Sequence, residues 1–220
     1  MGDLIHLAER IADRSRPGGE VSRFFFALDD PISYLTAERI ERALGPIEWV
    51  PVLGPLSERD PAVSDEERDY MARERMLIAE REANSLQLPL VEPYQFPMES
   101  RRAARAATFA ADAGTGSHFA LALLRLAFCG AYDINSVPVI EEAAAVAGLH
   151  PQDAVAAAAD ESYDLRLDAT SRGLIARGVQ SPPAICIHSV WFQGPTAMVA
   201  AANYSAARGL LDDAPQIPAS

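Results

Sequence analysis

The sequence contains no lysine, so all 19 of its basic residues are arginine. A Schiff-base centre, a pyridoxal-phosphate centre and a Walker-A phosphate loop each need a lysine amine at a fixed place, and none of these chemistries is open to the chain. Cysteine is nearly as scarce. Cys129 and Cys186 are the only two; they stand far apart, and neither belongs to a C-x-x-C pair, which excludes a dithiol active site. Each sits in an apolar run, Leu126 to Cys129 and Ala184 to Ile187, where a small buried packing residue is the expectation. Long hydrophobic runs are also missing. No stretch approaches a membrane span, and Met1-Gly2-Asp3-Leu4 has neither the basic nor the apolar part of a secretory signal, so the cytoplasm is the expected compartment.

What is present is a globular composition, 49% hydrophobic over 220 residues, with a formal net charge of -12. The acidic balance argues against nucleic acid and anionic membranes as partners, because both need a concentrated basic surface. A small molecule or another protein is the expected partner. His6, His118, His150 and His188 show no ligand spacing with carboxylates or cysteines, so no metal is expected.

Leu4, Leu7, Ala8 and Ile11 share one helical face, which predicts an amphipathic lead helix within residues 1–20, followed by a linker. Arg23 to Leu28 is a strand-length aromatic and aliphatic run. After Asp29-Asp30-Pro31 the spacing predicts one helix through Tyr34, Leu35, Ile40 and Leu44, stopped by Gly45-Pro46, and Ile47 to Leu53 reads as a second strand. The three elements predict a strand-helix-strand unit with parallel strands. From about Ser64 to Asp160, alanine-rich, charge-laced helical segments take over, bounded by glycine and proline breakers. The mixed charges from Asp65 through Glu82 read as a solvated face. A helix from near Glu161 to Arg177 precedes Gly178. Pro182 and Pro183 then lead a hairpin with its turn at His188-Ser189, whose Trp191-Phe192 pair is expected in the core. A last helix opens at Thr196. The domain reading is 21–60 with 161–208 as a discontinuous unit, 61–160 as an inserted helical subdomain and 209–220 as a flexible tail.

Specific stretches carry a resemblance. Phe24-Phe25-Phe26-Ala27-Leu28-Asp29-Asp30-Pro31-Ile32-Ser33-Tyr34-Leu35 resembles the first strand and S-P-Y-S-Y-L segment of the 2-hydroxychromene-2-carboxylate isomerases and kappa-class glutathione transferases, members of the DsbA-like group. Leu88 to Pro93 with Phe96-Pro97, Asp133 to Ser136 with Ala147 to Leu149, and Gly178 to Ala184 are similar to later segments of the same family, in the same order. The resemblance implies an α/β, thioredoxin-like fold with a large inserted all-helical subdomain. It also implies a homodimer and a glutathione-dependent isomerase or transferase acting on a hydrophobic small molecule.

The same resemblance locates the chemistry. The family holds a glutathione thiolate at the start of the first helix, where a serine completes the site; the matching residue here is Asp30. A carboxylate ~4 Å from a thiolate would repel it by about 4 kcal/mol at an effective dielectric near 20. Asp30 is also a favoured cap before Pro31, and a partly desolvated aspartate could instead serve as general acid or base on a ligand bound without glutathione. Ser33 reads as an ordinary early-helix serine. Pro183 matches the family's cis-proline, and the residue before it normally offers its N–H and C=O to glutathione, yet Pro182 has no N–H. The lysine and the acidic-arginine pair that bind the charged ends of glutathione in the family have no counterparts. Thr196 reads as the cap of the last helix or as a holder of a small anion. Two functions therefore stand side by side: a diverged glutathione-dependent enzyme, and a thioredoxin-fold binding protein that has lost glutathione chemistry.

Overall fold

The computed structural model describes residues 21–54 and 64–210; the lead helix expected before residue 20 and the tail after 210 lie outside them. Among the described residues a four-stranded sheet organises the fold, in the order β2 (Glu48–Pro51), β1 (Arg23–Phe26), β3 (Ala184–Ile187), β4 (Val190–Gln193). β1 pairs in parallel with β2, Phe24 opposite Trp49, and antiparallel with β3, Phe24 opposite Ile185. The N-terminal strand and the proline-led hairpin thus share one sheet.

The run of three phenylalanines makes β1 the centre of that sheet, because successive side chains point to opposite faces. Phe24 and Phe26 turn to one side and pack with Trp49, Ile185 and Ile187 in the main core. Phe25 and Ala27 turn to the other, against Val52, Leu174, Val179 and Ala184. The hairpin turn at His188 and Ser189 has positive φ at both residues, 46° and 63°. That matches the twist of the strands it joins, and it gives His188 a structural place.

On the main face lie α1 (Pro31–Ala37), α2 (Ile40–Leu44) and the closing α9 (Ala197–Ala207). The single helix expected from 31 to 44 is two. Thr36 Oγ1 donates back to Ile32 O, and the Arg39 N–H bonds Thr36 O three residues back. These contacts tighten the last turn and end α1 without any glycine or proline. Every residue of α1 is buried.

Between β2 and the hairpin the chain runs through α3 (Asp65–Leu86), α4 (Arg101–Asp112), α5 (Gly116–Phe128), α6 (Val137–Val146), α7 (Pro151–Ala159), a short 3-10 turn (Glu161–Tyr163) and α8 (Asp164–Ile175). The helix expected from Glu161 begins as that turn because Asp160 accepts the Ser162 N–H at 2.9 Å. Gly178, at φ 80°, follows α8 in the left-handed conformation that favours glycine. Asn135 accepts the Ala103 N–H and donates to Glu99 O, tying the start of α4 to the loop before α6. The long α3 buries only a narrow stripe, Ala72, Met76, Ala79 and Ala83. Small residues along it allow α3 to pack closely on α1.

Candidate functional site

Asp30 stands at the junction where the strand gives way to α1. Its backbone is extended, φ -110° and ψ 115°, and Pro31 follows as the first helical residue. Oδ2 accepts the Ser33 N–H at 2.8 Å and the Ser33 hydroxyl at 2.7 Å. This is the cap expected from the sequence, with its side chain almost wholly buried. Ser33 is itself fully buried, and its hydroxyl also accepts the Ala27 N–H, so it is locked into the cap and reaches no ligand.

The other carboxylate oxygen meets a cation that the sequence reading missed. Arg75, on α3, donates to Asp30 Oδ1 from Nε at 2.9 Å and from Nη2 at 2.7 Å. Nη2 also donates to Pro182 O at 2.6 Å, and Nη1 reaches Ser181 Oγ at 3.4 Å. One guanidinium therefore ties the start of α1, the middle of α3 and the loop before β3. The charge-laced stretch read as a solvated face sends this arginine inward, and Glu82 two turns later does the same towards Arg39, at 3.4 Å. Burial lowers the pKa of Arg39 and raises that of Glu82, against the pull of each on the other.

Donor accounting shows what the helix start can offer. Pro31 has no N–H. The Ser33 amide is bonded to Asp30 Oδ2, and the Tyr34 amide returns to Asp30 O at 3.2 Å. That leaves the Ile32 amide as the one first-turn donor not engaged by the described residues. The Pro182–Pro183 bond is cis. Pro182 O is taken by Arg75, and Pro183 O accepts the Gly194 N–H at 2.9 Å. The structure thus brings Asp30 and Pro182 together through Arg75, while Pro183 is tied to Gly194. Thr196 lies apart at the start of α9, exposed and with no side-chain bond to the helix it opens; the expected threonine cap is not formed.

Further along α1, the buried Tyr34 hydroxyl lies 3.0 Å from Pro89 O and 3.1 Å from Cys129 Sγ. Burial, then the bond to Cys129, pushes the phenol well above its ordinary pKa. Cys129 and Cys186 are both half-buried, and they do not form a disulfide. Among the described residues, no group of three or more His, Cys, Asp or Glu side chains could hold a metal ion, and no helix is long and apolar enough to cross a membrane.

No protein-family model matches this chain, and no curated protein matches it in sequence. Solved structures do match in shape. A 2-hydroxychromene-2-carboxylate isomerase superposes with a TM-score of 0.70 at 14% identity, covering 88% of this chain and 100% of its own. A probable DsbA oxidoreductase from Streptomyces coelicolor gives 0.62 at 16% identity over 90% of this chain and 94% of its own. The cytosolic disulfide reductase DsbM from Pseudomonas aeruginosa, solved with GSH, gives 0.61 at 15% identity over 87% and 100%. With β1 and the proline-led hairpin in one sheet and the helices α3 to α7 inserted between them, the chain has the DsbA-like thioredoxin fold shared by these isomerases and oxidoreductases.

Proposed function

We propose that this chain is a small-molecule-binding member of the DsbA-like thioredoxin fold in which the thiol site has been converted into an internal ion pair. The observation that carries the reading is the saturation of Asp30. Its carboxylate accepts four hydrogen bonds, two from Ser33 and two from Arg75. A general base needs an oxygen free to take a proton from its ligand, and this one has both oxygens occupied.

The residues present do not fit a glutathione thiolate at the helix start. A thiolate there would meet the Asp30 carboxylate, and of the first-turn amides that would hold it only that of Ile32 is neither missing nor already bonded. The cysteinyl main chain would find no N–H on Pro182 and a carbonyl already held by Arg75. No step through glutathione is therefore derived. The cytoplasm is the compartment we propose, and a homodimer the assembly.

A second reading, a glutathione-dependent isomerase or transferase acting on a hydrophobic small molecule, is favoured by the likeness to the isomerase and to the reductase solved with GSH. Calorimetry with reduced glutathione separates the two. We expect no heat at millimolar ligand for the native chain. Micromolar affinity would establish the second reading and end the first.

A further inference from the structure

The Arg75 guanidinium is held unequally. Its Nε and Nη2 edge is fixed by three bonds of 2.6 to 2.9 Å to Asp30 and Pro182. Its Nη1 edge has one long contact among the described residues, 3.4 Å to the Ser181 hydroxyl. A guanidinium carries two N–H groups on Nη1. The short bonds on one side orient these donors while leaving them weakly used. The arginine side chain keeps 15% of its surface exposed, and Ser181 is half-buried, so neither residue is sealed from solvent.

The surroundings select the rest of the ligand. Met71 and Ile78 lie four residues before and three after Arg75, on the same face of α3. Met71 is half-buried and Ile78 is 40% exposed. An oriented cationic edge beside a hydroxyl, flanked by aliphatic side chains, matches an acid whose body is a flexible hydrocarbon.

We propose that Arg75 Nη1 and the Ser181 hydroxyl bind the carboxylate of an aliphatic monocarboxylate whose chain lies along Ile78. This inference rests on the reading of the Asp30–Arg75 pair as a permanent internal contact, because that contact fixes the opposite edge of the guanidinium and leaves Nη1 with one long bond. One ligand oxygen takes the Nη1 protons and the other the serine hydroxyl. Asp30 stays on the opposite edge of the guanidinium, so the ligand displaces only the long Nη1 contact to Ser181. Because Asp30 already neutralises the arginine, binding is of millimolar strength.

The test is an NMR titration of the full isotope-labelled chain with sodium octanoate, ionic strength held constant with sodium chloride, following the Arg75 Nε–H and Ser181 signals. Octanoate should shift both and saturate in the millimolar range. Octanol, with the same chain and no charge, should bind about tenfold more weakly. Ser181→Ala should weaken octanoate about fivefold, the loss of one hydrogen bond. Ile78→Asp, an exposed change that leaves the fold intact, should weaken it by at least as much. The inference is overturned if millimolar octanoate leaves both signals unmoved, if octanol binds equally well, or if neither variant changes the affinity. Micromolar glutathione binding by the same sample would instead remove the reading beneath it, whereas silence towards both ligands removes this inference alone.

Discussion

Two of the arginines that pair with aspartate do so through Nε and Nη2, and to different ends. Arg105, on α4, grips Asp164 at the start of α8 through Nε at 2.8 Å and Nη2 at 2.7 Å. Arg101 approaches the same carboxylate at 3.6 Å and Asp168 at 3.0 Å. That cluster closes on itself at the edge of the helical layer, where Asp164 keeps a quarter of its surface. Arg75 also uses Nε and Nη2, but on a carboxylate that is only 3% exposed, and its main-chain contact, to Pro182 O at 2.6 Å, is much shorter than the 3.5 Å from Arg105 to Ala158 O. One pair clamps two helices. The other ties the start of α1 to α3 and to the loop before β3, and the difference lies in how deeply the carboxylate is buried and in how short the main-chain contact is.

The sharpest way to break the comparison is to remove each cation in turn. Arg75→Met should leave the buried Asp30 carboxylate without a counter-ion and cost ~3 kcal/mol, read from urea unfolding at neutral pH. Adding Asp30→Ser should recover most of that loss, since serine still caps α1 without a buried charge. If Arg75→Met proves as mild as an exposed substitution, the pair is not the internal fixture described above. The double variant also reopens the helix start, so it is the form in which any glutathione binding should first appear.

How far the site could be read from sequence follows from the range of the contacts involved. The cap at Asp30, the proline after it and the turn at His188-Ser189 are local features, set by residues within a few positions of one another, and each was legible. The resemblance located Pro183, and the structure places it after a cis bond. Arg75 was not legible, because its partners lie far away in the chain and join it only through the packing of α3 on α1. Its neighbours Arg73 and Glu74 are exposed, so the stretch looks uniformly solvated. The available signal was narrow: Arg75 stands three residues after Ala72 and four before Ala79, on the edge of the stripe that α3 buries. The break between α1 and α2 escaped for a similar reason, since it comes from a threonine back-bond and not from a breaker residue.

A smaller effect sharpens the other half of the comparison. The hydrogen bond from Arg105, with lesser electrostatic help from Arg105 and Arg101, holds the Asp164 pKa below its ordinary value, and Arg105 is raised in return, chiefly by that bond. A carboxylate whose folded pKa lies below its unfolded value of about 3.9 adds stability above that pH and loses it as the pH falls through the folded value. Asp164→Asn should therefore cost roughly 1–2 kcal/mol at neutral pH. The gap from the native chain should close as unfolding is measured below about pH 4. A gap that persists in acid would mean that packing, and not charge, sets the cost.

The least effect belongs to an arginine whose geometry equals the others but whose setting does not. Arg125 donates to both oxygens of Glu38 at 2.7 Å, as good a fork as Arg105 makes. Its side chain, however, is 55% exposed, so water competes for the guanidinium, while Glu38 keeps 12% of its surface. Arg125→Ala should cost no more than ~0.5 kcal/mol at low salt, and the difference should shrink further in molar sodium chloride. Bond lengths alone would rank Arg125 beside Arg75. A loss for Arg125→Ala approaching that of Arg75→Met, insensitive to salt, would show that burial is not what separates these pairs and would undo the distinction between clamp and closed site.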